Sequence, residues 1–152
     1  MNNNITKSDE TFMHEAYLEA LKGYNEGGIP VGAVMVRSGK IIARGHNRRV
    51  QDGNPISHGE TDCIKKAGRQ KSYHDITLYT TLSPCIMCAG TIALFKMKRV
   101  VIGENKNFGG NEKFLEKRGI EVSLMKNQDC ISLMSKFIKE KPELWNEDIA
   151  VE

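Results

Sequence analysis

The sequence predicts a three-layer α/β/α sandwich, an α/β fold with a five-stranded mixed sheet between two layers of helices. Two observations support this prediction. Five short segments have the composition of strands, and after the first two of them strands and helices alternate along the chain. Alternation of this kind is typical of a mostly parallel sheet with helices on both faces, and the initial pair of strands adds an antiparallel edge. A chain of 152 residues has the size of one domain, which we expect to span residues 1–152.

The elements are predicted in the order α-β-β-α-β-α-β-α-β-α-α. The first helix is amphipathic and ends before Gly27 and Gly28, because glycine commonly ends a helix. A tight turn at Ser38-Gly39-Lys40 joins the first two strands, and a loop rich in Asn, Arg, Gly and Pro follows them over residues 46–56. The predicted strands are Val31–Arg37, Ile41–Gly45, Ile76–Thr81, Arg99–Gly103 and Ile120–Met125. The predicted helices are Asp9–Tyr24, His58–Gly68, Cys85–Phe95, Lys113–Arg118, Asp129–Lys139 and a short one that starts at Pro142.

The composition excludes several classes of protein. Hydrophobic residues make up 39% and charged residues 27%, as in an ordinary globular protein, and the net charge of +3 gives little support for a nucleic-acid partner. No apolar run reaches the roughly 20 residues that span a bilayer, and the polar N-terminus has no secretory leader. We therefore expect no membrane partner and a cytoplasmic or nuclear location, where cysteines are more often metal ligands or catalytic groups than disulfides.

Cys85 and Cys88 lie three residues apart in the stretch TTLSPCIMC, at the start of a predicted helix. Ser83 is the predicted N-cap and Pro84 suits the first turn. A helix N-terminus lowers the pKa of a thiol, which favours either a metal site or a redox dithiol. There is no second C-x-x-C, so a four-cysteine structural zinc site is excluded, whereas the redox alternative stays open. The other two cysteines, Cys63 and Cys130, stand alone and are expected to be buried.

His58 is the best candidate for a third metal ligand, because it opens the preceding helix as Cys85 opens the next. Helices that follow parallel strands begin at the same edge of the sheet, so the three side chains can converge there. Three protein ligands leave one tetrahedral position open for water, which is typical of catalytic zinc. Glu60 has two possible roles. It can complete a capping box with Ser57, or it can move protons to and from the reacting groups.

The pattern H-x-E…P-C-x-x-C, which is typical of zinc-dependent nucleobase deaminases, occurs here in order. Beyond this pattern, almost the whole chain resembles the fungal-type cytosine deaminases, within the cytidine deaminase-like superfamily. The stretches that carry the resemblance are EGGIPVGA (26–33), RGHNRR (44–49), HGE (58–60), TLYTTLSPCIMC (77–88), VIGENKNF (101–108) and WNEDI (145–149).

This resemblance implies a homodimer with one Zn²⁺ per chain that converts free cytosine to uracil and ammonia. It implies that His58, Cys85 and Cys88 hold the zinc and that Glu60 carries the protons. The same resemblance assigns the substrate contacts: the amide of Asn47 and the backbone N–H of Gly59 bind the base edge, Asp148 accepts from the exocyclic amine, Phe108 and Trp145 cover the ring, and Ser83 borders the reacting oxygen.

Three other functions remain open at this point. The chain could be another base or nucleoside deaminase, such as a guanine or tRNA adenosine deaminase. The acidic C-terminus argues against the tRNA substrate, because Glu140, Glu143 and Glu147 repel phosphates. A zinc-bearing partner subunit without activity would typically lack the glutamate that is present at position 60. A dithiol oxidoreductase is the most distant alternative, and it would contain no zinc.

Overall fold

The computed structural model describes residues 1–152 and contains five strands and seven helices. The strands are β1 (Gly32–Arg37), β2 (Lys40–His46), β3 (Ile76–Thr80), β4 (Arg99–Ile102) and β5 (Glu121–Leu124). The helices are α1 (Lys7–Asn25), α2 (Arg49–Asp52), α3 (Gly59–Ala67), α4 (Ile86–Phe95), α5 (Glu112–Lys117), α6 (Gln128–Glu140) and α7 (Pro142–Asp148). No helix is both long enough and apolar enough to cross a bilayer.

The five strands form one mixed sheet in the order β2-β1-β3-β4-β5, which confirms the predicted fold class. Strand β1 pairs antiparallel with both β2 and β3, whereas β3, β4 and β5 pair in parallel. The reversed strand is therefore β1, which lies inside the sheet. Only two of the four pairings are parallel, so the prediction that the sheet is mostly parallel is wrong. Strands β2, β3 and β4 consequently end at the same edge, and β1 begins there.

Side chains alternate across the sheet and bury one apolar cluster on each face. On β1, Ala33 and Met35 pack in the cluster that includes residues of α3, α4 and α5. Val34 and Val36 point the other way, into a cluster that includes residues of α1 and α6. The sheet is therefore covered by helices on both faces, as the sequence predicts.

A third apolar cluster places α7 beside the edge where β2, β3 and β4 end. Trp145 of α7 is buried against Ile29 and Val31, which precede β1, and against Leu82, which follows β3. Phe137 of α6 completes the contact. The C-terminal helix is thereby held next to the polar residues at this edge.

Two glycines let α3 approach the sheet closely. A Cβ atom at Gly45 of β2 would lie 2.4 Å from the backbone nitrogen of Cys63, and one at Gly59 would lie 2.8 Å from the carbonyl oxygen of Val31. Any larger side chain would push α3 away from β1 and β2. The start of α3, with His58 and Glu60, is thus set directly against the sheet edge.

The structure corrects several local predictions. The predicted loop over residues 46–56 contains the one-turn helix α2, which is too short to leave a periodic pattern. Helix α4 begins at Ile86 with Cys85 as its N-cap, so the predictions that Ser83 caps this helix and that Pro84 lies in its first turn are wrong. Both Cys63 and Cys130 are buried, which confirms that expectation.

Candidate metal centre and substrate pocket

Residues from four connections meet at the edge where β2, β3 and β4 end. Asn47 follows β2, His58 occupies the N-cap position of α3, Cys85 occupies the N-cap position of α4 after β3, and Phe108 lies in the loop after β4. Their proximity follows from the strand directions, because the carboxyl ends of β2, β3 and β4 point the same way.

The three predicted metal ligands are brought together. One donor atom from each of His58, Cys85 and Cys88 lies within 4.8 Å of the others, and Nδ1 of His58 is 3.4 Å from Sγ of Cys85. Bonds of about 2.0–2.3 Å in a tetrahedron place imidazole and thiolate donors roughly 3.5 Å apart, so this spacing fits zinc. Two sulfurs and one imidazole nitrogen are also the donor types that zinc prefers.

The electrostatics of the cluster favour a thiolate. A hydrogen bond from the Cys88 thiol, supported by the one to His58, lowers the pKa of Cys85 to about 4 against the effect of burial. Burial opposes the charge on His58, but the hydrogen bond with Cys85 and the carboxylates of Asp148 and Glu60 raise its pKa to about 9. Zinc takes thiolate and neutral imidazole, so its binding displaces protons from this cluster.

Glu60 lies on the first turn of α3 and is only 3% exposed. Burial raises the pKa of its carboxyl to about 7, and the negative charge of Cys85 adds to the rise. The capping role proposed for it with Ser57 is not observed. Instead, the hydroxyl of Thr61 accepts the backbone N–H of His58 at 2.9 Å. The carboxyl of Glu60 is left facing the pocket, where it is free to exchange protons.

A cavity of about 500 Å³ opens beside the metal-binding cluster. Eight of the ten predicted site residues line it, whereas Gly59 and Cys88 do not. The lining residues are Val31, Asn47, Pro55, His58, Glu60, Leu82, Ser83, Cys85, Ile86, Met87, Phe108, Asn111, Trp145, Asp148, Ile149 and Ala150. The cavity therefore combines a few polar groups with mostly apolar walls, as sites for small organic molecules do.

Asp148 and Asn47 both line the cavity, and the Asn47 amide is close enough to act on the Asp148 carboxylate. Oδ1 of Asp148 is buried, has no hydrogen-bond partner, and lies 3.4 Å from Nε2 of His58. Burial raises the pKa of Asp148, while the His58 cation, the Asn47 amide and the Arg49 guanidinium oppose the rise. Oδ1 of Asn47 accepts the backbone N–H of Arg49 at 2.9 Å, which fixes the direction of its amide.

Aromatic side chains form another part of the cavity wall. The rings of Phe108 and Trp145 meet edge to face with their centroids 6.0 Å apart. The loop that carries Phe108 is ordered by the buried carboxylate of Glu104, which accepts the backbone N–H groups of Lys106 and Asn107 and the side-chain amide of Asn107. The sequence shows only the stretch ENKNF, and the buried acid at its start is the residue that organises it.

Ser83 is buried after β3, but its hydroxyl donates to the carboxylate of Glu112 on α5. Nearby, the amide of Asn111 donates to the carbonyl oxygen of Pro84 at 3.0 Å and lines the cavity. Asn111 and Glu112 were missed by the sequence reasoning, because nothing in their spacing separates them from ordinary helix-start residues. The residues between the cysteines, Ile86 and Met87, also reach the cavity, and their place inside C-x-x-C could have indicated it.

Comparison with known proteins gives the family. The sequence profile of the cytidine and deoxycytidylate deaminase zinc-binding region matches residues 6–104. A cytosine deaminase of Candida albicans is 51% identical over 148 residues, which cover 95% of this chain and 99% of that protein. A tRNA-specific adenosine deaminase of Streptococcus pyogenes is 34% identical over 145 residues, covering 87% of this chain and 91% of the other.

Among solved structures, one from a study of A-to-I editing by tRNA:A34 deaminases superposes with a TM-score of 0.74 at 27% identity. The match covers 82% of this chain and 99% of that one. The sequence profile, the fold and the His58, Cys85 and Cys88 cluster agree with each other, and the chain belongs to the zinc-dependent cytidine and deoxycytidylate deaminase family.

Proposed function

We propose that this protein is a zinc-dependent cytosine deaminase, which hydrolyses free cytosine to uracil and ammonia. The observation that carries the proposal is the buried Oδ1 of Asp148, which accepts no hydrogen bond although Nε2 of His58 lies 3.4 Å away, and which shares one cavity with Glu60 and Asn47. A buried acceptor without a hydrogen bond is costly, so the site favours a ligand that brings an N–H group to it. The exocyclic amine of cytosine is such a group. The 51% identity to a cytosine deaminase supports the same substrate.

The residues of the chain account for the proton movements of this reaction. Zinc held by His58, Cys85 and Cys88 would supply an acidified water as the nucleophile. Glu60 would take the two protons of this water one after the other, and would pass the first to the ring nitrogen and the second to the departing amine. Its pKa of about 7 suits a group that must both take and give protons near neutral pH. The amide of Asn47 forms hydrogen bonds with the edge of the base. The carboxylate of Asp148 accepts a hydrogen bond from the amine, so bases that lack this amine bind less well.

A free base suits the pocket better than RNA does. Glu143 and Glu147 of α7 are exposed, next to the Trp145 and Asp148 that line the cavity. Negative charge at this position repels the phosphates of a nucleic acid. The protein is therefore proposed to bind no nucleic acid and to serve pyrimidine salvage. Two thiols that must stay reduced to hold zinc favour the cytoplasm or the nucleus as its location.

The substrate is tested by ultraviolet spectra of cytosine, adenine, guanine and cytidine incubated separately with the zinc-loaded protein. We expect only cytosine to react. The Glu60→Gln variant is expected to keep its zinc and to lose activity by about 10²–10⁴-fold, as for the removal of a general acid–base group. Conversion of adenine, guanine or cytidine in place of cytosine would overturn the proposed substrate. Absence of any reaction would favour a non-catalytic zinc-bearing partner subunit.

We also propose that two copies of this chain form a homodimer through α4. This helix, IMCAGTIALF, is almost entirely apolar, yet Ile86 and Leu94 on one side of it are 62% and 72% exposed. A helix that is apolar on all sides is normally buried on all sides. A self-complementary face on a second copy would cover both residues.

The dimer is tested by sedimentation of the wild type and of two charge variants. Leu94→Asp is expected to shift the protein to monomers, because a carboxylate cannot be buried unpaired in an apolar contact. Leu18→Asp, at a partly exposed leucine of α1, serves as the control and should leave the dimer intact. A wild-type protein that sediments as a monomer would contradict the proposal.

A further inference from the structure

Arg49 contacts two parts of the chain that border the pocket, the segment with Asn47 and helix α7. It opens α2, directly after the loop that carries Asn47, and its backbone N–H donates to Oδ1 of Asn47. Its side chain is only 20% exposed and reaches α7, where Nη2 lies 3.3 Å from Oε1 of Glu147. Glu147 immediately precedes Asp148. A single arginine thus connects the amide that faces the base edge with the helix that carries the acceptor of the amine.

Few other polar contacts hold α7 in place. Its only other ion pair joins Asp148 to His58 at 3.4 Å, inside the pocket itself. Nη1 of Arg49 also reaches the carbonyl oxygen of Pro55 at 3.4 Å, whereas its Nε is buried without a partner. The two terminal nitrogens of the guanidinium therefore contact different parts of the chain: Nη1 contacts the segment with Pro55, and Nη2 contacts α7. Loss of the Glu147 carboxylate would leave a largely buried cation with fewer partners, which is unfavourable.

We propose that Arg49 is a positioning residue, and that its pairing with Glu147 holds α7 closed over the pocket so that Asp148 and Trp145 stay in place. This proposal depends on the proposed function in one respect only, which is that cytosine is the ligand of the pocket. The carboxylate of Glu147 is 59% exposed, so the pair is screened by salt. Breaking such a pair is expected to raise the equilibrium constant for opening of α7 by about two- to fivefold.

The test measures hydrogen exchange of the α7 amides in the zinc-loaded protein without substrate, at low salt and at about 1 M salt, where screening is nearly complete. Glu147→Gln is expected to exchange about two- to fivefold faster than the wild type at low salt, and equally fast at high salt. The matched control is Glu143→Gln, which lies on the same helix, is exposed and forms no ion pair. It should match the wild type at both salt concentrations.

Two further measurements separate positioning from general stability. Arg49→Gln combined with Glu147→Gln should open α7 no more than Arg49→Gln alone, because the pair is already broken. With cytosine, Glu147→Gln should raise KM and the inhibition constant of uracil at low salt, by at most the same two- to fivefold, without lowering kcat. If Glu147→Gln exchanges like Glu143→Gln at low salt, the proposal is wrong. If cytosine is not turned over by the wild type, the proposed function fails while the exchange result still decides the role of Arg49.

Discussion

Glu60 and Thr61 are neighbours at the start of α3 and divide two tasks between them. Thr61 performs the capping task, since its hydroxyl accepts the N–H of His58 and donates to the carbonyl oxygen of Ile56 at 2.6 Å. The carboxyl of Glu60 is buried and faces the cavity. Because Thr61 already caps the start of α3, the carboxyl of Glu60 is available for proton transfer.

This division can be measured with two conservative substitutions. Thr61→Val keeps the shape but removes both hydrogen bonds, so we expect the free energy of unfolding to fall by about 1–2 kcal/mol, with most of the activity retained. Glu60→Gln should have the opposite effect: the free energy of unfolding should change little, and nearly all activity should be lost. Urea unfolding and cytosine turnover on the same preparations report both quantities. A large loss of stability in Glu60→Gln would show that Glu60 supports the helix start after all.

At the scale of elements, the loop after β4 depends on one buried acid. Glu104 is 1% exposed and accepts three N–H groups of Lys106 and Asn107 at 2.7–2.9 Å. Glu104→Gln replaces one accepting oxygen with a donor, so at least one of these bonds must break. We expect the free energy of unfolding to fall by about 1.5–3 kcal/mol, the usual contribution of hydrogen bonds to a charged group.

The same substitution should affect the site through Phe108. A loosened loop no longer presses Phe108 against Trp145, so KM for cytosine should rise while the zinc content stays the same. Lys106→Ala is the control in the same loop, because its exposed side chain can be removed without losing its backbone N–H. An unchanged KM in Glu104→Gln would mean that Phe108 is placed by its apolar contacts alone.

The elements also show what local sequence patterns can predict. Strands and long helices were predicted close to their observed bounds, because alternation and helical spacing are local properties. The four residues of α2 are too few for such a pattern. The interior position of β1 depends on its pairing with β3, a long-range contact that no local pattern contains. The metal ligands were predictable because their chemistry restricts residue type and spacing, whereas Asn111 reaches the pocket only through the path of a loop.

At the scale of the whole molecule, one buried ion pair ties α1 to the sheet. The carboxylate of Asp9 accepts two hydrogen bonds from Arg99 of β4, at 2.8 and 3.0 Å, and one from the hydroxyl of Tyr79 of β3 at 2.7 Å. Arg99 also donates to the carbonyl oxygen of Asn4 and so fixes the segment before α1. Acid that protonates Asp9 would therefore weaken the contact between a whole helix and the central strands.

The pH dependence follows from the pKa of Asp9. Burial raises this pKa, but the hydrogen bonds from Arg99, from the Thr6 backbone and from Tyr79 outweigh burial and lower it to about 2. An unfolded chain has an aspartate pKa of about 3.9. The folded state therefore binds the proton less readily than the unfolded state does. The stabilisation by ionised Asp9 is complete well above pH 3.9 and is lost as the pH falls through the interval from about 3.9 to about 2.

Urea unfolding of the wild type and of Asp9→Asn between pH 2.5 and 7 tests this expectation. Near neutral pH the variant should be less stable by about 2–3 kcal/mol, because the pKa of Asp9 is about 2 in the folded state and about 3.9 in the unfolded chain. The difference should shrink as the pH falls below about 4. Acid release of zinc affects both proteins, so the difference between them isolates Asp9. Asp75→Asn provides the comparison, because Asp75 pairs with Arg37 at the surface, where its side chain is 59% exposed, and such pairs contribute about 0–1 kcal/mol. A difference for Asp9→Asn that stays constant down to pH 2.5 would mean that the carboxylate stabilises the fold by its shape and hydrogen bonds, and not by its charge.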